Sequence, residues 1–140
     1  EAEAIRDCML AAAGDLDETL GGPSERDETS RRGLYRHQKR DALPSQQVLF
    51  AGSVGIASCS RRRVSTNGLQ PLWLLNNAFS QRAAKRLAER SSDVAKAFRT
   101  VLGRPPQDDE LTLLAELAER HGLQSACLAI LNSSEFLYIP

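Results

Sequence analysis

The residues best suited to chemistry lie in the middle of the chain, where Cys59 precedes the run Arg61-Arg62-Arg63. Guanidinium groups bind carboxylate, sulfate or phosphate through paired hydrogen bonds, and neighbouring cations favour the thiolate form of a cysteine. Two interpretations follow. In the one we favour, an arginine pairs with an acid of residues 1–30, the others are solvated and Cys59 is an inert thiol. In the other, the segment binds an anionic ligand.

Polar residues continue past this run, because Ser65, Thr66, Gln70 and Asn76 stand just before or within an apolar helical pattern. Such side chains commonly cap helices and pair with irregular backbone, which is the interpretation we favour. If the patch binds a ligand instead, the candidate ligand-binding residues are Arg62, Cys59, Thr66, Gln70 and Asn76. No His or acid stands near Cys59 in sequence to complete a nucleophile system, so the sequence predicts no catalytic constellation.

The cysteines and histidines do not have the spacing of a metal or haem site. Cys8, Cys59 and Cys127 are far apart, and neither Cys-x-x-Cys nor Cys-x-x-Cys-His occurs. Cys8 and Cys127 fall on apolar helix faces, which favours buried free thiols, although an exported protein would permit one disulfide. His121 suits a helix C-terminus, and His37 lies among like charges that disfavour its protonation. We expect no metal and no cofactor in this segment.

Charge is unevenly distributed along a chain whose formal net charge is zero. Residues 1–30 hold nine acids and two bases, residues 31–63 hold eight bases and one acid, and residues 64–140 hold eight of each. We expect the acidic and basic segments to screen each other in the fold; an anionic partner at the basic segment is the alternative. Zero net charge with few aromatics among the bases argues against a nucleic-acid partner.

The first third of the chain predicts one helix followed by irregular chain. Apolar residues in 1–13 recur at helical spacing, and Gly14 is suited to end that helix. Residues 15–33 are polar and rich in glycine, which predicts a long loop. Residues 34–40 suit a short strand or an extended segment.

The rest of the chain predicts a bundle of short amphipathic helices. Helical spacing begins at Leu69 and is interrupted at Asn76-Asn77, where an asparagine can cap a second helix that runs to residue 90. Ser92 is the expected N-cap of the next helix. Further helices are predicted from about residue 108 and over 123–131. The residues expected to face inward include Leu72, Leu75, Phe79, Ala83, Leu87, Leu111 and Leu114.

These segments together predict an all-α fold: a short helical bundle with long irregular N-terminal loops and at most a minor extended segment. A chain of 140 residues fits one domain. It opens without Met inside a helix already under way and ends just after an apolar segment. We therefore expect residues 1–140 to be a single C-terminal helical module, a fragment of a larger multidomain protein. No apolar run is long enough to span a bilayer.

Four blocks of sequence, in order, resemble one known family. The blocks are Arg31-Arg32-Gly33-Leu34-Tyr35 with Lys39-Arg40; Cys59 to Thr66 with Leu69-Gln70 and Leu72 to Asn76; Ala97-Phe98, Leu102-Gly103-Arg104-Pro105-Pro106 and Glu110; and Leu131 to Tyr138. On these blocks the chain is similar to the planctomycete-associated domain of unknown function numbered 1553. Three residues depart from the usual pattern of that family: Ala51 replaces an Asp, Gly68 a common Pro and Pro71 an Ala.

The resemblance implies a setting and no reaction. Members resemble large exported proteins, often with a cytochrome-c-like domain upstream, so haem c is implied only for upstream domains and the location is exported or periplasmic. The well-capped helical second half and the lack of a catalytic constellation in the sequence favour a non-catalytic module that docks on upstream domains of the same parent chain. The alternative is a module that contributes a polar or anionic ligand or substrate site to a redox-linked, carbohydrate-related enzyme.

Overall fold

The computed structural model describes residues 2–26, 29–37, 39, 45–50 and 67–138. Within them the chain is mainly helical, which confirms the predicted all-α class. The helices are α1 (Ala2–Ala13), α2 (Ser45–Leu49), α3 (Leu69–Asn76), α4 (Ala78–Arg90), α5 (Val94–Leu102), α6 (Asp108–His121), α7 (Leu123–Leu131) and α8 (Ser134–Leu137), with a 3-10 turn at Gly33–Tyr35.

The core forms around α7, which packs against α4, α5 and α6, while α1 packs against α4. The inward face of α7 is fully covered, as the apolar spacing predicted, since Ala126, Cys127, Ile130 and Leu131 are all buried. Buried residues of the other helices complete one cluster, which includes Met9, Leu74, Leu87 and Phe98. Small residues such as Ala84 and Ala97, both fully buried, let neighbouring helices approach closely.

Helix ends follow the local signals in the sequence with one exception. The Asn77 side chain accepts a hydrogen bond from the Phe79 amide and begins α4, as predicted. Gly103, with φ at +71°, ends α5 in the left-handed conformation that glycine adopts most easily. The N-cap of α5 is Asp93 rather than Ser92: the Asp93 carboxylate accepts from the Lys96 amide, and the Ser92 hydroxyl donates to Asp93.

Two predictions about inward faces are wrong, and the short strand or extended segment predicted for residues 34–40 is found only in part. Leu72 and Leu75 are exposed and Leu74 is buried in their place. The outer end of α6 is also open, since Leu111 is exposed and α6 has no buried residue. Around residue 34 the chain forms the 3-10 turn instead of a strand, and Arg36 then makes a single parallel bridge with Glu25.

The loop after α1 is held by isolated contacts rather than by a sheet. A bridge between Asp17 and Arg31 accompanies the one at Arg36, and these two are the bridges outside helices in the described part of the chain. Within that same part, none of the helices combines the length and the hydropathy that a bilayer span requires.

Candidate functional site

The candidate ligand-binding residues are only partly within the described structure. Cys59, Arg62 and Thr66 lie outside the described residues, as do Arg61, Arg63 and Ser65. Gln70 and Asn76 are described, and both lie on α3. The proposal that all five residues form a ligand site therefore stays a prediction.

The two described members of that set bond to backbone. Gln70 is buried, and its side-chain amide donates to the Leu49 carbonyl at 3.1 Å. Asn76 is exposed, and its amide donates to the Leu72 carbonyl one turn earlier at 2.8 Å. In addition, Trp73 packs edge-on against Phe50 with ring centroids 6.1 Å apart. The Gln70 bond and the Trp73 contact fix α3 to the end of α2, and Gln70 thus has the anchoring role that we favoured for polar residues here. The Asn76 bond lies within α3.

The opposite face of α3 is apolar and open to solvent. Leu69, Leu72 and Leu75 recur every third residue and are 63%, 56% and 41% exposed. This spacing places them within one side of the helix. We call these three residues the apolar stripe. Since Leu74 and Gln70 hold the other side of α3 in the core, the stripe is presented on a helix whose position is fixed.

Buried arginines hold the loop that follows α1. Arg6, 2% exposed, donates to the Arg31 carbonyl at 2.8 Å and to the Thr29 carbonyl, and its guanidinium lies 5.6 Å from the centre of the Phe79 ring. A carbonyl within a helix or a sheet accepts a hydrogen bond from another backbone amide. These two loop carbonyls accept one from the Arg6 side chain instead. One side chain of α1 thus orders loop residues more than twenty positions away in sequence.

Arg31 plays a similar part from the loop side. Its buried guanidinium donates to the carbonyls of Thr19, Gly21 and Pro23, and stacks on Tyr35 at 4.0 Å. It also pairs with Glu25 at 3.5 Å. Arg31 belongs to the basic segment and Glu25 to the acidic one, so this contact confirms the expected screening at one position.

Gly33 belongs to the same sequence block as Arg31 and lies where the loop contacts α1. Its amide donates to the Asp7 carboxylate at 2.7 Å, and a Cβ at this position would lie 2.9 Å from the Cβ of Glu3. Only glycine allows the loop to approach α1 this closely. The contacts of Arg31 and Gly33 therefore give the block Arg31 to Tyr35 a structural role, which is to hold the loop in place against α1.

Arg104 joins two separate blocks of the sequence. Its guanidinium forms paired hydrogen bonds to both carboxylate oxygens of Glu110, at 2.8 and 2.7 Å, and to both of Glu135, at 2.7 and 2.6 Å. It also lies over Phe98, 4.9 Å from the ring centre. Glu110 in turn accepts from the Gln107 amide at the start of α6. The arginine thereby ties α5, α6 and α8 together.

This arrangement shifts the acid pKa values downward. Hydrogen bonds from Arg104, then from the Gln107 amide, lower the pKa of Glu110 to about 2, and the bond from Arg104 lowers the pKa of Glu135. A carboxylate whose pKa is lower in the folded state stabilises the fold above the ordinary value of 4.5, and that contribution is lost as pH falls through about 2. The link between α5, α6 and α8 is therefore intact at neutral pH.

We predict that removing Arg104 restores the pKa of Glu110. In an Arg104→Met chain, the pKa of Glu110 should rise from about 2 towards 4.5, as measured by an NMR titration of the side-chain carboxyl. Arg120→Met is the control, because Arg120 is exposed and its ion pair among the described residues is with Glu116 at 3.7 Å. A Glu110 pKa that is equally low without Arg104 would show that the backbone amide, and not the arginine, dominates.

A basic cleft lies between α4 and the loop after α1. Thr29 and Ser30 line its loop side, Arg82, Lys85 and Arg86 line its helix side, and its volume is about 340 Å³. Of these cations, only Arg86 is ion-paired with a described residue, to Asp15 at 3.5 Å and to Glu89 at 3.4 Å. Sequence patterns do not indicate this cleft, because its loop side comes from a segment without helical or strand periodicity.

The thiols and imidazoles of the described residues form no cluster that could hold a metal. Cys127 is free and buried, as predicted, and burial raises the pKa of its thiol to about 11. Cys8 is free but exposed, so the prediction that it is buried is wrong. His37 contacts the Ser24 hydroxyl at 3.2 Å, and His121 ends α6. Among the described residues, no three His, Cys, Asp or Glu side chains converge on one point.

Comparison with known proteins gives one match. The model of the family described as "PSD1: Protein of unknown function (DUF1553)" matches residues 1–118. This range contains three of the four blocks on which the resemblance rests, and the fourth, Leu131 to Tyr138, follows it. No curated protein and no solved structure matches the chain.

Proposed function

The chain belongs to the family of proteins of unknown function numbered 1553, and from this premise we propose that it is a non-catalytic helical module that docks on other domains of a larger parent protein. The apolar stripe Leu69, Leu72 and Leu75 is the observation that carries the proposal. Docking would bury these leucines against an upstream domain of the same parent chain.

The position of the stripe determines how much its burial would contribute to an interface. Single exposed leucines are normal on protein surfaces, but a contiguous apolar face on one helix is less common. Complete burial of a fully exposed leucine side chain contributes about 1.5–3 kcal/mol, and docking would add the part of this that belongs to the still exposed 63%, 56% and 41% of the three side chains. Because Leu74 and Gln70 fix α3 from behind, the stripe would not need to rearrange before it binds.

The chemistry of the described residues supports a binding role over a catalytic one. Among the described carboxylates with lowered pKa values, Glu110 and Glu135 are both engaged by Arg104, and Asp93 is engaged by the start of α5. The buried thiol of Cys127 has a raised pKa, which disfavours the reactive thiolate. These groups are placed to hold helices together rather than to transfer protons or attack a substrate.

We extend the proposal to the setting that the family resemblance implies. The parent protein would be planctomycete-associated and exported or periplasmic, with a cytochrome-c-like domain that binds haem c upstream of this module. The coding sequence upstream of Glu1 tests this directly. A signal peptide and a Cys-x-x-Cys-His sequence there would support the setting, and a parent protein without either would contradict it.

We predict that Leu72→Glu breaks the docking interface. The segment of the parent protein that precedes this chain would be co-expressed with the tagged 140-residue chain, and its retention measured after affinity purification. A charge placed in the middle of an apolar interface is left without a partner when buried, so we expect retention to fall about tenfold or more.

Leu113→Glu is the matched control for this experiment. Leu113 is 69% exposed on α6, away from the stripe, so the same substitution there should leave retention unchanged. Equal retention of the upstream segment by wild type and Leu72→Glu would contradict docking through the stripe. A dimer of the chain alone that Leu72→Glu dissociates, seen by sedimentation, would contradict it as well and show that a second copy covers α3.

A further inference from the structure

We propose that the basic cleft is a binding site for the carboxylate group of a small monoanionic ligand that has an apolar body. The cleft is formed by α4 and the loop, and no residue of the apolar stripe lines it. The inference therefore stands independently of the docking proposal, and either can fail without the other.

Two cations in the cleft are available to a ligand. Arg82 and Lys85 stand three residues apart on α4, which places them side by side on one face of the helix. Neither is ion-paired with any residue that the structure describes. A guanidinium can bind both oxygens of a carboxylate, and an ammonium beside it adds a point charge. This pair suits a carboxylate placed at the mouth of the cleft.

The cleft also offers apolar contacts below the cations. Leu10 and Ala83 are buried core residues that reach its surface, and Phe79 contributes part of its ring. A volume of about 340 Å³ is at the lower end of the range of small-molecule sites. The cleft therefore has room for a small organic ligand whose hydrocarbon part contacts these side chains while its carboxylate meets Arg82 and Lys85.

The loop wall of the cleft is held in place before any ligand binds. The Thr29 carbonyl accepts from buried Arg6, and the Thr29 hydroxyl donates to Glu25. The adjoining Ser30 leaves its exposed side chain at the cleft. A site whose wall is already fixed loses less conformational entropy on binding than a mobile loop would.

The acids in the cleft limit the charge of the ligand. Asp15 and Glu89 both pair with Arg86, so its charge is already compensated. Among the lining residues that the structure describes, three cations then stand against two acids, a surplus of one positive charge. A ligand with one negative charge matches this surplus, whereas a polyphosphate or a nucleic acid would meet the two carboxylates and be repelled.

The experiment is an NMR titration of the isotopically labelled 140-residue chain with benzoate and hexanoate. Acetate, which lacks an apolar body, sulfate and pyrophosphate are the comparison anions. We expect saturable shifts for benzoate and hexanoate at the amides of Ser30, Phe79 and Ala83. Affinity should fall about tenfold or more in Arg82→Gln and in Lys85→Gln, and it should be weaker for acetate.

Arg99→Gln is the matched control, because Arg99 is an exposed arginine near the end of α5 that does not line the cleft. It should bind benzoate as wild type does. Circular dichroism of each variant checks that the helices are retained. Linear, non-saturating shifts for every anion would overturn the proposal and leave only a solvated helix face. Tightest binding of pyrophosphate, or equal losses in Arg99→Gln and Arg82→Gln, would overturn it too.

Discussion

Replacing Arg6 with methionine should lower the free energy of unfolding by about 3 kcal/mol, because the change leaves buried carbonyls without a charged donor. Arg6 is 2% exposed and donates to the carbonyls of Thr29 and Arg31. Methionine fills part of the volume of the arginine side chain but supplies no N–H group and no cation over the Phe79 ring. The loss therefore reports mainly on the hydrogen bonds and less on a cavity.

Urea denaturation at neutral pH measures this effect, and Arg99→Met is the control, since Arg99 is exposed and we expect its loss to stay within about 0.5 kcal/mol. Limited proteolysis adds a local measurement. Without Arg6 the loop after α1 should be cut faster, because its carbonyls are no longer held to α1. A loss below about 1 kcal/mol for Arg6→Met would mean that water replaces the guanidinium at little cost.

The burial of Arg6 shows what can and cannot be read from this sequence. Its spacing from Met9 and Leu10 places it on the inward side of α1, and that local signal was available. Its partners were not, because they lie 23 and 25 residues away in a loop without periodicity. The charge distribution predicted contact between the acidic segment, residues 1–30, and the basic segment, residues 31–63. The described hydrogen bonds of Arg6, however, are mostly with backbone carbonyls and not with acids.

The helical second half was predicted well because its signals are local. Asn77 begins α4 and Gly103 ends α5, so each acts on a helix that is next to it in sequence. The link from Arg104 to Glu135 spans 31 residues, and no local pattern specifies it. The family resemblance had marked both blocks without indicating that they meet. The structure shows that one arginine connects them.

The basic cleft is a second feature that local sequence patterns do not specify, because distant parts of the sequence form it. Arg82, Lys85 and Arg86 read in sequence as the solvated face of an amphipathic helix. They line a cleft only because the loop, held by Arg6, lies opposite α4. The residues with the clearest chemistry in sequence, Cys59 and Arg62, lie outside the described residues, and their proposed ligand role rests on sequence alone.

The second large effect is expected in α3, where neighbouring leucines should differ sharply. Leu74→Ala should cost about 3 kcal/mol in the free energy of unfolding, because a fully buried leucine leaves a cavity when truncated. Leu72→Ala, two residues away and 56% exposed, should cost no more than about 0.5 kcal/mol. Thermal or urea unfolding of the two variants side by side provides the measurement, and the shared helix controls for helix propensity.

The comparison decides which face of α3 belongs to the core. Apolar residues at positions 69, 72, 74 and 75 make two faces of the helix apolar. From helical spacing alone, Leu72 and Leu75 were predicted to face inward. The core selects Leu74, beside Leu87 and Leu131 in one buried cluster. Equal losses at Leu72 and Leu74 would show that both faces are buried in the isolated chain, and the apolar stripe would then be unavailable for docking. A large loss at Leu74 alone would leave α3 with a free apolar face that contributes nothing to the stability of this module, as a surface kept for a partner requires.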